Sequence, residues 1–320
     1  MAQSQRLLEQ AKIANAQIGF STVFNNQLQK TMKEPILDIA MRVPSTNATE
    51  SFKFLGDIPQ LREWVDDRHM GKLRVEEINV VNRDYATGIR VDKNDIRDDK
   101  LNLVMPRIRQ LANRARQHVA KSMVELLLNG FDGTAFTRIS DGKSYDSTAA
   151  TPIFFFSVAH QDGTGPLQTN FITAALTDVS YETARVNMQS LQDEEKQPLE
   201  VRPNMLIVGP SLERTALEIV QAGVIDQGGA GVSNVFKGTA EVAVSQRLSG
   251  SFANFWFLID TTQEVGGILW TDREAPRFDA LMDMKSEHAF RRKEFEFGTS
   301  YAAGYQYGLW QFIHGSNGTT

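Results

Sequence analysis

The sequence predicts an α+β fold in two subdomains, and three observations carry that prediction. Apolar residues keep helical spacing from Leu103 to Leu128, a run long enough to form the backbone of a domain. Strand patterns stand before that helix and return in two later stretches, Val235 to Trp270 and Phe295 to Phe312. The length, 320 residues, is too great for one small core. Hydrophobic residues at 41% and charged residues at 23% are what a chain folding around a packed interior carries.

The first thirty residues read as a Gln/Asn-rich helix. Leu7, Leu8, Ala11, Ala14 and Ile18 fall three or four apart and make a narrow apolar stripe. So thin a stripe needs a partner, and two stay open: the chain's own domain, or a neighbouring subunit. From Pro44 to Asn82 the pattern becomes strand-like but broken, with Phe52, Phe54, Leu55, Ile58, Leu61, Trp64 and Val65 set around Gly56 and Pro59. Its second half alternates more cleanly through Leu73, Val75, Ile78 and Val80. A two-armed excursion bearing a Trp and two Phe is costly to leave in water, so something is expected to cover it. The other reading is an ordinary sheet within the core.

A further strand is expected over Tyr85 to Ile96. Asp98-Asp99 then signals a helix start by capping and by favourable charge at the helix N-terminus, and Pro106 is tolerable only near the first turn. Ile108, Leu111, Ala112, Ala115, Val119, Met123, Leu126 and Leu127 hold the helical spacing until Asn129-Gly130 stops it. At ~1.5 Å per residue this helix spans on the order of 35 Å. Asp132 to Gly165 reads as loops around one buried segment, Ile153 to Phe156.

A second subdomain is expected over Asp178 to Lys285. It holds a helix through Tyr181, Ala184, Met188 and Leu191, a buried strand at Asn204 to Gly209, a helix at Leu212 to Val220, a glycine-rich loop from Gly223 to Gly231, and returning strands. The C-terminus reads as a hairpin. Phe295 and Phe297 alternate with Glu294 and Glu296, a turn runs from Gly298 to Gly304, and Tyr305, Tyr307, Leu309, Trp310 and Phe312 return. That hairpin is expected to pack on the long helix.

The inventory for chemistry is thin. Lys plus Arg total 34 against 39 Asp plus Glu, a net charge of -5, which lacks the basic footprint of a dedicated nucleic-acid reader. The longest apolar runs, Ile153 to Phe156 and Phe255 to Ile259, fall far short of the ~20 residues of a membrane helix. The N-terminus lacks a signal pattern, so cytoplasmic synthesis is expected. Zero cysteines remove disulfides, thiolate catalysis and cysteine-based metal sites.

His69, His118, His160, His288 and His314 stand far apart, and none sits in a spacing that one helix face could turn into a metal site. His160 beside Asp162 is the best single candidate for a general base, but no Gly-x-Ser-x-Gly elbow accompanies it. Asp92, Asn94, Asp95, Asp98 and Asp99 imitate a calcium loop, yet Arg97 stands where the glycine is needed and Leu103 where the bidentate Glu belongs. Gly228 to Gly231 lacks the Lys-Ser/Thr of a phosphate loop, and Asp193 to Lys196 reads as a solvated helix end. No catalytic residue, cofactor or metal is predicted.

A collinear set of short strings carries a resemblance. They are Gly19-Phe20 with Phe24, Val43-Pro44-Ser45-Thr46, Leu55-Gly56, Pro59-Gln60-Leu61-Arg62-Glu63-Trp64, Asp67-Arg68, Asn82-Arg83, and Asp95-Ile96 with Asp98-Asp99. Trp256 to Asp260, Arg291-Arg292-Lys293-Glu294-Phe295 and Gly308-Leu309-Trp310-Gln311 continue the series. In this order and spacing, through most of the chain, the sequence resembles the Mu-like phage major head subunit family; the Leu-Arg-Glu-Trp and Arg-Lys-Glu-Phe blocks are the specific ones.

The resemblance implies the Hong Kong 97-type capsid fold: an N-terminal arm (1–43), an extended loop (44–82), a peripheral domain (83–177 and 286–320) with a spine helix at about 103–128, and an axial domain (178–285). It also implies a structural protein that forms hexamers and pentamers of itself in an icosahedral shell around double-stranded DNA. A scaffolding protein, a portal and decoration proteins would be its partners, DNA contact would be weak and non-specific, and no membrane would be involved. The residues expected at subunit interfaces are Phe52, Phe54, Leu55, Glu63, Trp64, Asp67 and Arg68 of the loop, with Leu7 and Ile18 of the arm. Two alternatives stay open, an encapsulin-like shell around cargo enzymes and a hydrolase using His160 and Asp162.

Overall fold

The computed structural model describes residues 2–30, 34–55, 75–97, 101–131, 136–137, 144–145, 155–161, 165–193, 196–227, 230–283 and 291–319. The chain opens with α1 (Ala2–Gln29), then β1 (Ala40–Pro44), β2 (Thr49–Leu55), β3 (Val75–Val81), β4 (Arg83–Asp92), α2 (Lys93–Arg97) and α3 (Leu101–Asn129). Four two-residue strands follow as two antiparallel pairs, β5 (Phe136–Thr137) with β6 (Ser144–Tyr145) and β7 (His160–Gln161) with β8 (Leu167–Gln168). Next come β9 (Phe171–Ile172), α4 (Asp178–Gln189), β10 (Met205–Val208), α5 (Glu213–Val220), β11 (Val224–Gln227), β12 (Ala230–Ser233) and β13 (Glu241–Val244). The last strands are β14 (Trp256–Ile259), β15 (Ile268–Leu281), β16 (Glu294–Tyr307) and β17 (Ile313–Ser316).

Two sheets hold the framework. The first runs β1-β15-β16-β4, and the second runs β13-β10-β14-β17-β9. Helix α3 lies against both, and its sequence says how. Among the described side chains of its first half, Val104, Ile108, Leu111, Ala112 and Ala115 are buried, and the first four pack with Phe20 and Phe24 of α1 and Phe295 and Phe297 of β16. From Ser122 to Leu128 every residue is buried, because there the helix passes between core elements of both sheets. Pro106 lies inside α3 and not in its first turn. It is exposed, and it removes one amide donor from the helix ladder.

Strands β10 and β14 are continuous apolar runs, and the structure covers both their faces. Met205, Ile207, Phe257 and Ile259 point into the cluster around Met123, Leu127, Phe155, Phe156 and Tyr307. Leu206, Val208, Trp256 and Leu258 point the other way, onto Tyr181, Met188 and Ile219 of α4 and α5. Thr177 caps α4 by accepting from the Ser180 amide, while the Ser180 hydroxyl accepts from the Thr177 amide.

Sequence expectations are corrected at the C-terminus and at Asp193, and the strand expected over Tyr85 to Ile96 ends at Asp92, with Ile96 in α2. The C-terminal aromatics do not form a hairpin with a turn at Gly298 to Gly304; β16 runs straight through those glycines, paired with β15 on one side and β4 on the other. Glycine is used there for closeness: a Cβ at Gly304 would meet Val80 Cγ1 at 2.7 Å and the Val81 carbonyl at 2.9 Å. The buried face of α1 is Phe20 and Phe24 with Ala16 and Leu28 beside them, while Ala11, Ala14 and Ile18 are exposed. Two phenylalanine rings remove more apolar area from water than that smaller stripe, so they choose the face. Asp193 is buried in a turn past α4, its carboxylate accepting from the Gln197 amide at 2.7 Å, and is not part of a solvated helix end.

Strand pairing also crosses the sequence bounds 178–285 and 286–320. β15 pairs within the first sheet, with β1 and β16, and β17 joins β14 in the second.

Candidate assembly surfaces

The excursion begins and ends at the first sheet. β2 and β3 pair antiparallel from Thr49↔Val81 to Leu55↔Val75 and, among the described residues, with no other strand. Phe52 is half-buried; Phe54 and Leu55 belong to β2, opposite Glu76 and Val75. Glu63, Trp64, Asp67 and Arg68 lie outside the described residues.

The root of this hairpin is a polar knot. The Asn82 amide donates to Ser45 Oγ at 2.6 Å and to the Asn47 carbonyl at 2.7 Å, and its Oδ1 accepts from the Thr271 hydroxyl at 2.6 Å. Glu50 Oε1 accepts from Ser45 Oγ at 2.7 Å and from the amides of Thr46 and Asn47 at 3.2 Å. These bonds, the Ser45 hydroxyl first, hold the Glu50 carboxyl below its ordinary range. Arg42 pairs with Asp272 on the adjoining strands and lies over the Trp270 ring, 4.8 Å from its centroid. Sequence reasoning assigned these residues no role; the available signal was position, since Ser45 and Asn82 stand at the two ends of the excursion.

The arm is anchored by its second half. Phe20 meets Phe297 edge-on at 5.2 Å and Phe24 lies 5.2 Å from Phe278. Gln27 donates to Asn113 at 2.9 Å, and Arg116 donates to the Gln27 carbonyl at 3.2 Å. Ile18 points away from this contact and is 66% exposed. Leu7 belongs to the N-terminal part of α1.

The described histidines are packing residues. His160 is buried, stacks on Trp310 at 4.1 Å, and its Nε2 lies 3.1 Å from both the Phe155 carbonyl and Asn170 Oδ1. Burial pushes its pKa down, against those two polar contacts. Asp162 lies outside the described residues. The His118 ring lies tilted against Tyr85, centroids 4.1 Å apart, and His314 is fully buried in β17. His69 and His288 also lie outside. Among the described residues no group of His, Asp or Glu side chains is placed to hold a metal, and no helix is long and apolar enough to cross a membrane.

The sequence of this chain matches a family model along most of its length. The model described as Mu-like prophage major head subunit gpT matches residues 13–169, 146–248 and 243–320. The chain belongs to that family. As a major head subunit it is a structural protein of the icosahedral capsid of a tailed phage, and its place is the virion. It is similar to the Mu-like prophage FluMu major head subunit of Haemophilus influenzae, 22% identical over 301 residues, covering 94% of this chain and 71% of that one. It is similar also to the major capsid protein of Escherichia phage Mu, 19% identical over 273 residues, covering 85% of this chain and 63% of that one. The head subunit thus spans less than two thirds of the phage Mu protein.

Its fold is that of phage capsids, the Hong Kong 97-type α+β fold. It aligns with a chain of the procapsid of bacteriophage JBD30 at a TM-score of 0.55 and 19% identity, over 96% of this chain and 75% of that one. It aligns with a chain from the capsid of an empty GTA particle at 0.53 and 12% identity, over 91% of each.

Proposed function

We propose that the head subunit forms hexamers and pentamers, and that these rings join into a closed shell through the hairpin of segment 44–82 and the arm of segment 1–43. Segments 83–177 and 286–320, with the spine helix, are the peripheral body; segment 178–285 is the axial part nearest the ring centre. The observation that carries this reading is the isolation of β2 and β3, which beyond their root pair only with each other among the described residues. Two strands alone are marginal in water, so a surface of another copy is the natural cover.

Phe52, Phe54, Leu55 and Trp64 supply apolar area worth ~25 cal/mol per Å² removed from water. Glu63, Asp67 and Arg68 set register at the rim, where charges contribute specificity more than affinity. Leu7 and exposed Ile18 extend the contact along the arm. Each contact is modest, but a subunit engaging several neighbours at once is held by effective concentration inside a partial shell. The net charge of -5 suits a container, since a strongly basic lining would hold packaged DNA by neutralising phosphates. A scaffolding protein, a portal and decoration proteins are the further partners of this reading.

Trp64→Ala tests it. The variant is expected to remain a soluble subunit and to give no particles by electron microscopy and sedimentation. Wild-type-like shells from it would remove the hairpin from the mechanism.

A further inference from the structure

We infer that Asn82 and Glu50 form a rigid bracket at the hairpin root and act as positioning residues, fixing the direction in which the hairpin leaves the subunit. The inference rests on the reading that the hairpin engages a neighbouring copy.

The connections at the root differ in length. β3 ends at Val81 and β4 begins at Arg83, so Asn82 alone joins hairpin to sheet on one side. On the other, β1 ends at Pro44 and β2 begins at Thr49, leaving Ser45, Thr46, Asn47 and Ala48 as the link. Left to themselves, a one-residue and a four-residue link would let the hairpin twist and swing.

Asn82 closes both links onto the sheet. Its backbone amide donates to the Ala48 carbonyl at 2.9 Å, and its side chain reaches Ser45, Asn47 and Thr271. Thr271 is fully buried in β15, paired with Val43 of β1 and Gly304 of β16. One side chain therefore ties the link, the strand junction and the middle of the first sheet. Glu50 does the same for the link itself, one carboxylate oxygen gathering Ser45, Thr46 and Asn47 into a single turn. Val80 is fully buried over Gly304, where there is no room for a methyl group, so the base of β3 packs closely on β16.

The lever arm makes this matter. A strand of seven residues spans about 23 Å at ~3.3 Å per residue. A tilt of about 10° at the root then moves the far end by roughly 4 Å, while apolar contacts tolerate gaps of about 0.5–1 Å. An unbracketed hairpin would reach the neighbouring copy over a spread of angles, and ring-to-ring geometry would lose its single value.

The chain has no cysteine, so a spin-label pair can be placed at Lys53→Cys on the hairpin and Thr87→Cys on β4, both exposed. In the purified subunit this pair is expected to give one narrow distance distribution, and adding Asn82→Ala is expected to broaden it at least twofold. In assembly the same change is expected to replace closed shells of one diameter by open or mixed-diameter particles, with the subunit still folded. Glu50→Ala, at a half-buried position, is the second variant and carries the same expectations if Asn82→Ala does not fold.

A narrow distribution in the variants, or a broad one with shells of wild-type diameter, overturns the bracket. If the bracket variants assemble normally while Trp64→Ala does not, only the bracket fails. If Trp64→Ala also assembles normally, the reading beneath it fails.

Discussion

The Tyr307 hydroxyl donates to the Leu126 carbonyl oxygen at 2.7 Å, both residues being buried. This bond ties the end of β16 to the last turns of α3, and the Tyr307 ring stacks on Phe155 at 4.5 Å beside it. Burial pushes the phenol pKa up, so the hydroxyl stays a donor. The Leu126 carbonyl also accepts from the Gly130 amide at 3.0 Å, which leaves it partnered when the phenol is removed.

Tyr307→Phe is therefore expected to cost only the usual net worth of a hydrogen bond, about 0.5–1.5 kcal/mol. Urea unfolding of the subunit measures it. A loss above ~3 kcal/mol would mean that the bond organises the sheet-to-helix junction, beyond simply joining it.

The two faces of α1 should separate stability from assembly. Phe20→Ala opens a cavity beside Phe297 and is expected to cost about 3–5 kcal/mol, with faster amide exchange along α1. Ile18→Ala, at 66% exposure, is expected to change subunit stability by less than ~0.5 kcal/mol while lowering particle yield. Equal yields from wild type and Ile18→Ala would take Ile18 out of the interface.

His314 links the second sheet to pH. It is fully buried, Asn187 Nδ2 lies 3.3 Å from its Nε2, and desolvation pushes its pKa from 6.5 down to about 3. The unfolded chain takes up that proton below pH 6.5 and the folded chain does not until about pH 3. This contribution is thus complete above the unfolded value and is lost as pH falls between the two, at up to ~1.4 kcal/mol per pH unit. In His314→Leu the acid slope of unfolding free energy over that window should be shallower by that amount, whatever the change at neutral pH. An unchanged slope would show that the histidine is charged inside the fold.

Local patterns carried much of the architecture. The spacing from Val104 to Leu127 made α3 legible because apolar residues recur along it at helical intervals wherever it meets core, and Met205 to Val208 and Trp256 to Ile259 read as buried strands because both their faces are covered. The hairpin showed as two strand-like arms, since β2 and β3 pair in sequence order. The interface proposed for it did not become legible in the same way, because the cover proposed for Trp64, Glu63, Asp67 and Arg68 is another copy of the chain, and spacing within one sequence does not specify that surface.

By itself the sequence determined the long helix α3, the buried strands β10 and β14 and the family, since these depend on residue order and spacing. The tertiary structure decided which face of α1 is buried, that Gly298 to Gly304 stays extended in β16, and that Ser45, Glu50, Asn82 and Thr271 meet. Those outcomes depend on partners distant in sequence. β16 is straight because β15 and β4 satisfy its backbone on both edges, and the root is knotted because Thr271, 189 positions from Asn82, comes to lie beside it.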